Sequence, residues 1–176
     1  MARLHYADPN DASVKALAER IIAERGSLLH LYQMLMHSTP IAEGWLGYLT
    51  AVRHHAKLDD AIRELAIMRI AHLNHAPYEA QQHAPIALRA GLNQAQLDAL
   101  AAPELPHTLF DARQRAVLAY TDAMTVSIQV PDATFDAVHA CFDATELVEL
   151  TATIAAYNMV SRFLEALQIH QDDATR

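Results

Sequence analysis

The chain has 176 residues, 52% hydrophobic and 19% charged, with 4 Gly and 7 Pro; this is enough for one domain with its own core, and excludes a disordered, collagen-like or low-complexity chain. Lys and Arg number 13 against 21 Asp and Glu, a formal net charge of −8, and no basic cluster is present to neutralise a row of phosphates, so neither nucleic acid nor an anionic membrane surface is an expected partner. The single cysteine, Cys141, rules out an intramolecular disulfide and any CxxC redox or zinc-thiolate motif.

The first residues, 1–12, are polar and turn-rich, with no apolar h-region, and no later apolar run reaches the roughly 18 residues of a membrane span. The expected location is therefore cytoplasmic, with both the N-terminus and the polar tail 171–176 fraying or packing peripherally. Apolar residues at three- and four-residue steps predict helices over 12–24, ended by Gly26, over 28–37, ended by Ser38-Thr39-Pro40, and over 41–55. Asp59 or Asp60 is the expected N-cap of a helix so apolar, from Ile62 to Leu73, that it should lie at the centre of the fold.

Pro77 breaks this run and opens a separate helix over 77–90, since its ring removes a donor and disfavours αR at Ala76. Gly91 followed by Leu92 is expected to close that helix in the left-handed conformation, and Asn93 with Gln96 forms a capping box for a short helix to about Ala101. A further helix is expected over 111–127. Val126 to Pro131 is the one β-branched stretch, too short and isolated for a sheet. Asp132 should cap a short helix, and Asp143 with Glu146 a long one to about Ile169. The long helix is apolar on most faces, and so is expected to be buried on two sides, in part against another subunit.

The chemistry-bearing residues concentrate between Arg63 and Gly91. Glu79 and His83 are spaced i,i+4 on one helix, where they can share a hydrogen bond. Glu64 stands in an apolar stretch of the preceding helix, where a carboxylate must find a partner; Arg63 and Arg69 are alternatives to the imidazole. If the two helices pack antiparallel, Glu64 approaches the face of His83, and two carboxylates with one imidazole make an acid/base set. His72, His75, Glu79 and His83 would form one metal-binding stripe on a continuous helix, but Pro77 breaks it, and no HExxH motif is present. No metal or organic cofactor is expected. His30, His37, His54 and His55 read as surface or boundary residues, and Cys141 as a buried small apolar one.

Leu31-Tyr32-x-x-Leu35 with His37-Ser38, Ala42-Glu43-Gly44-Trp45-Leu46, Arg63-Glu64-Leu65-Ala66-Ile67, Tyr78-Glu79 with His83-x-Pro85-Ile86-Ala87, Ala90-Gly91-Leu92, Arg115 to Tyr120 and Glu149-Leu150 with Tyr157-Asn158-Met159 resemble the longer bacterial members of the carboxymuconolactone decarboxylase superfamily, whose fold is shared with AhpD-like alkylhydroperoxidases. The resemblance covers nearly the whole chain. It implies an all-α bundle of about seven to nine helices in a single domain, with an N-terminal helical extension over 1–58 and a core over 59–169, forming homo-oligomers: dimers, trimers or hexamers.

Laid on this chain, the conserved Glu and His of the AhpD-like pattern fall on Glu64 and His83, while its two cysteines fall on Ala76 and Glu79. Neither Ala nor Glu can replace a peroxidatic thiolate, so dithiol peroxidase chemistry is not expected. Similarity to the decarboxylase branch implies acid/base work on a small carboxylated lactone by Glu64 and His83, with Glu79 orienting His83. In that reading Tyr78, Tyr157 and Asn158 are hydrogen-bond donors to the substrate. The alternatives are a peroxidase-related protein of oxidative-stress defence, which would need Cys141 or a partner thiol, and a non-catalytic helical binding or assembly protein.

Overall fold

A computed structural model describes residues 1–173 of the chain; of the polar tail, residues 174–176 lie outside the described residues. Among the described residues there are nine α-helices and no strand. The chain divides into two compact units, Met1–His55 with Leu164–Arg176, and Ala56–Phe163.

In the first unit, α1 (Lys15–Arg25), α2 (His30–Leu35) and α3 (Thr39–Thr50) bury Leu17, Ile21, Leu35, Met36 and Leu46. Gly26 closes α1 at φ 80°, its N–H donating to the Ile22 carbonyl. Arg25 ties the three helices: Nε donates to Tyr32 Oη (3.1 Å) and Nη2 to Thr50 Oγ1 (2.7 Å). The N-terminal residues pack peripherally on this unit. Arg3 N donates to the Leu167 carbonyl (2.9 Å), Ala7 N to that of Gln33 (3.3 Å), and Tyr6 Oη to Asp173 (2.7 Å). Paired backbone groups, which polarity of sequence does not reveal, hold this segment in place. The 41–55 helix expected from periodicity starts earlier, at Thr39, and its last turn, Ala51–His55, is π-helical.

The second unit is built around α4 (Asp60–Leu73), in which every residue from Ile62 to Ala71 is buried. Asp59 caps it, its Oδ1 accepting from Ile62 N (3.1 Å). The helix ends where expected, but the residue that turns the chain is His75, at φ 53°: Ala76 N donates back to the Ala71 carbonyl (2.8 Å). This is the closure that glycine usually provides. Pro77 then starts α5 (Pro77–Arg89), and Gly91, at φ 110°, ends it with the same pattern, Leu92 N donating to the Ala87 carbonyl (3.1 Å). Pro85 sits inside α5 without ending it, on the exposed face where the freed carbonyl is open to water.

α6 (Gln94–Ala99) begins with the expected reciprocal Asn93–Gln96 capping box, and α7 (Ala112–Asp122) has a second one, Asp111 with Gln114. A π-helical turn, Ala123–Ser127, extends α7. α8 spans Asp132–His139, with Pro131 rather than Asp132 at the cap position; Asp132 lies within the first turn, where its charge favours the helix start. Asp143 and Glu146 exchange hydrogen bonds (2.8 and 3.1 Å) at the start of α9 (Ala144–Leu167), which crosses into the first unit at Leu164. Cys141 is half-buried rather than buried, its Sγ donating to the Ala137 carbonyl (3.4 Å). No helix among the described residues is long and apolar enough to cross a membrane.

Within this unit α4 packs along α5 and α7. The link between α4 and α5 is three residues, 74–76, which reverses the chain and sets the two helices side by side and antiparallel. That hairpin positions the candidate site.

Candidate active site

Glu64, near the start of α4, is 1% exposed, and His83, midway along α5, is 7% exposed. The hairpin brings them together: His83 Nδ1 lies 2.7 Å from Glu64 Oε2. A carboxylate accepting from Nδ1–H fixes the neutral imidazole in the tautomer whose lone pair is on Nε2. Nε2 has no hydrogen bond among the described residues. Tyr157, from α9, sets its ring edge-on against the imidazole, 5.0 Å between centroids at 89°, which restrains the ring plane. The other oxygen of Glu64 faces Arg63 Nε at 3.5 Å, and Arg63 Nη1 donates to Asp60 Oδ1 at 2.8 Å.

The partner of His83 Nδ1 is thus Glu64, distant in sequence, and not Glu79 one helical turn away. Burial does not separate the two carboxylates, 1% and 2% exposed; what differs is the donor each meets, the imidazole for Glu64 and the Ser161 hydroxyl for Glu79.

Glu79, 2% exposed, reaches α9 instead: the Ser161 hydroxyl donates toward its Oε2 (2.9 Å) and toward the Tyr157 carbonyl (2.8 Å). Glu79 also lies in the first turn of α5.

The remaining predicted residues divide. Tyr78 is buried in the first turn of α5, next to Glu79 in the chain. Asn158 is drawn into the framework. Its Nδ2 donates to Thr125 Oγ1 and the Ile154 carbonyl (both 3.0 Å), and its Oδ1 accepts from Asn74 Nδ2 (3.0 Å) and Arg162 Nη1 (2.7 Å). Both amide protons are therefore engaged within the fold. Ala76, at one of the two family cysteine positions, is the buried N-cap of α5.

Ser161 is the participant that sequence reasoning missed. The available signal was a lone hydroxyl four residues after Tyr157 in an apolar helix, and such a residue more often bonds only to its own backbone. No group of three or more His, Cys, Asp or Glu side chains among the described residues is arranged to hold a metal ion. His75, in the left-handed turn, leaves the helical register that the metal stripe required. A cleft of about 380 Å³, lined by Phe110, Arg115, Leu118 and Asp122 among others, contains none of Glu64, Glu79 and His83.

Residues 40–123 match the model of the carboxymuconolactone decarboxylase family. No curated protein matches the chain. Among solved structures, the fold is similar to that of an uncharacterized peroxidase-related protein from Ralstonia eutropha JMP134, described as an alkylhydroperoxidase AhpD core, with TM-score 0.81, 18% identity, and coverage of 98% of this chain and 93% of that one. A peroxidase-related protein from Silicibacter sp. TM1040 gives TM-score 0.79 at 17% identity, covering 96% of this chain and 91% of its own. A cysteine-to-alanine variant of the debrominase Bmp8, in complex with 2,3,4-tribromopyrrole, gives 0.80 at 18% identity, covering 99% and 94%. At these identities the likeness is one of fold.

Proposed function

We propose, on the match of residues 40–123 to the carboxymuconolactone decarboxylase family model and on the AhpD-like fold, that the chain is a cofactor-independent acid/base enzyme acting on a small carboxylated lactone or a related carboxylate. The observation that carries this reading is the buried Glu64–His83 pair, with Nδ1 engaged and Nε2 left without a hydrogen bond among the described residues. A histidine so oriented has one reactive nitrogen, which accepts a proton as the neutral ring and donates one as the imidazolium.

In the proposed reaction the bond between the substrate carbon and its carboxylate breaks, CO₂ leaves, and the electron pair enters the conjugated lactone as a dienolate. His83 Nε2–H then protonates the carbon, and the imidazole recovers its proton from water. Glu64 stabilises the imidazolium before the transfer and keeps the neutral ring in one tautomer after it. The hydroxyls of Tyr78 and Tyr157 serve as hydrogen-bond donors to the substrate, while Asn158 serves the framework. The absence of both family cysteines, replaced by Ala76 and Glu79, supports proton transfer over thiol chemistry.

The test is carboxymuconolactone turnover followed by ultraviolet absorbance in the wild type, His83→Ala and Glu64→Gln. Loss of turnover in both variants is expected. Equal turnover in all three proteins would sink the assignment. Peroxide consumption, with Cys141→Ala as control, tests the thiol route separately: activity that vanishes with Cys141 would favour it.

A further inference from the structure

Glu64 is buried, and the donor that meets its Oε2 is the imidazole of His83. A neutral ring supplies a hydrogen bond but no positive charge, and a buried carboxylate stays ionised only with a cation close by. The cation that faces its other oxygen is Arg63: Nε lies 3.5 Å from Oε1, and the arginine side chain is only 7% exposed. Among the described residues, the one hydrogen bond of this guanidinium runs from Nη1 to Asp60 Oδ1, and Nε is buried without one. The two carboxylates beside Arg63 are not equivalent. Asp60 is 72% exposed, so water screens its charge, whereas Arg63 and Glu64 face each other across a desolvated gap where the same separation counts for more.

The other charged and titratable groups of the packed helices are turned elsewhere. Arg69 holds Asp122, Arg113 lies over the Phe142 ring beside Glu146, Arg115 donates to the Phe110 carbonyl, and Arg162 donates to Asn158. Glu79 accepts from Ser161, and His72 stands at the opposite end of α4 from Glu64.

We infer that Arg63 is the countercharge that keeps Glu64 ionised, and is thereby a positioning residue for the His83 proton: it holds the shared hydrogen on Nδ1 and leaves Nε2 bare. The proton count gives this a definite consequence. With Arg63 in place, one cation, one anion and a neutral ring balance. Without it the same pair is a buried net anion, and it takes up one proton from water. That proton goes to Glu64, whose O–H then donates to Nδ1 while the ring hydrogen resides on Nε2, or it goes to His83, which becomes the imidazolium. In both cases Nε2 carries a hydrogen. The consequence for catalysis rests on the acid/base reading given above: the imidazolium of that reaction shares Glu64 with a second cation, which favours passing the Nε2 proton to the substrate and returning to the bare nitrogen.

The test is nitrogen NMR of the full chain carrying isotope-labelled histidine, at about pH 8, where an ordinary imidazole is neutral. The His83 signals are those that vanish in His83→Gln. The expected spectrum has a hydrogen on Nδ1 and none on Nε2, both in the wild type and in Arg63→Lys, which keeps the charge. In Arg63→Met, Nε2 gains a hydrogen. Methionine replaces much of the arginine stem and leaves Asp60 in water, so this variant should fold; should it not, Arg63→Gln asks the same question with a neutral donor in reach of Asp60. A bare Nε2 in the uncharged variant overturns the inference, as does a hydrogen on Nε2 in the wild type or in Arg63→Lys. Because hydrogens are read and turnover is not, the two proposals fail separately. The expected change at Nε2 in a protein inert toward lactones sinks only the decarboxylase reading, and an Nε2 that stays bare in every variant of an active enzyme sinks only this one.

Discussion

Helix α4 buries two arginines, Arg63 and Arg69, in very different surroundings. Arg69 is well satisfied: Nε and Nη2 hold both oxygens of Asp122 (2.7 and 2.8 Å), and Nη1 donates to the carbonyls of Leu100 and Ala102 (2.8 and 2.9 Å). Among the described residues Arg63 makes a single hydrogen bond, to the exposed Asp60, and its buried Nε stops at 3.5 Å from Glu64 without hydrogen-bond geometry. The first cluster locks α4 to α7 and to the chain after α6, as a well hydrogen-bonded buried polar group does. The second runs into the Glu64–His83 pair, to whose outer nitrogen the proposed proton transfer is assigned. Well-satisfied polar groups build the fold here, and less satisfied ones lie at the proposed site.

The comparison is broken most forcefully at Arg69. Arg69→Met strands Asp122 and two carbonyls; removing one partner of a buried pair costs about 3–5 kcal/mol, and the 33% exposure of the Asp122 side chain places this case toward the lower end. A urea midpoint within error of the wild type would contradict this. Turnover per folded molecule should be preserved.

His83→Ala should reduce turnover per folded molecule by about 10²–10⁴-fold, the range for a general acid or base, and, because it strands the buried Glu64, should lower the urea midpoint as well. If the two variants lose stability and turnover in the same proportion, the division between fold and site is wrong.

Asn158 tests the boundary between the two classes. Asn158→Ala removes a half-buried hub joining α4, the turn after α7 and α9, and should cost about 1–2 kcal/mol with turnover changed only a few-fold. A large loss of turnover at unchanged stability would return Asn158 to the substrate.

The smallest effect concerns His72, at the end of α4. Burial, and then the nearby Arg69 charge, hold its imidazole below the usual 6.5. The folded state therefore prefers the neutral ring, so its contribution to stability is complete above pH 6.5 and is lost as pH falls below that value. His72→Gln should flatten that part of the stability–pH curve, which stepwise urea titrations at closely spaced pH would resolve.

Local chemistry explains what was legible in advance. Pro77 opens α5, Gly91 closes it, and Asn93–Gln96 and Asp143–Glu146 cap their helices, because each device acts within one turn of the chain. The π-helical turns Ala51–His55 and Ala123–Ser127 were not legible, since the apolar spacing runs through them unbroken. Nor was the left-handed His75, for which the sequence offers no glycine.

The candidate site divides in the same way. Composition and spacing determined by themselves that one cysteine could not supply dithiol chemistry and that Glu64, Glu79 and His83 were the residues to watch. Only tertiary structure decided that Glu64, 19 residues away, orients His83, and that Glu79 turns to Ser161, 82 residues on. Spacing along a helix establishes which side chains share a face. Which of them pair is settled by the donors that the neighbouring helices bring within reach of each buried carboxylate, and those exist only once the helices have packed.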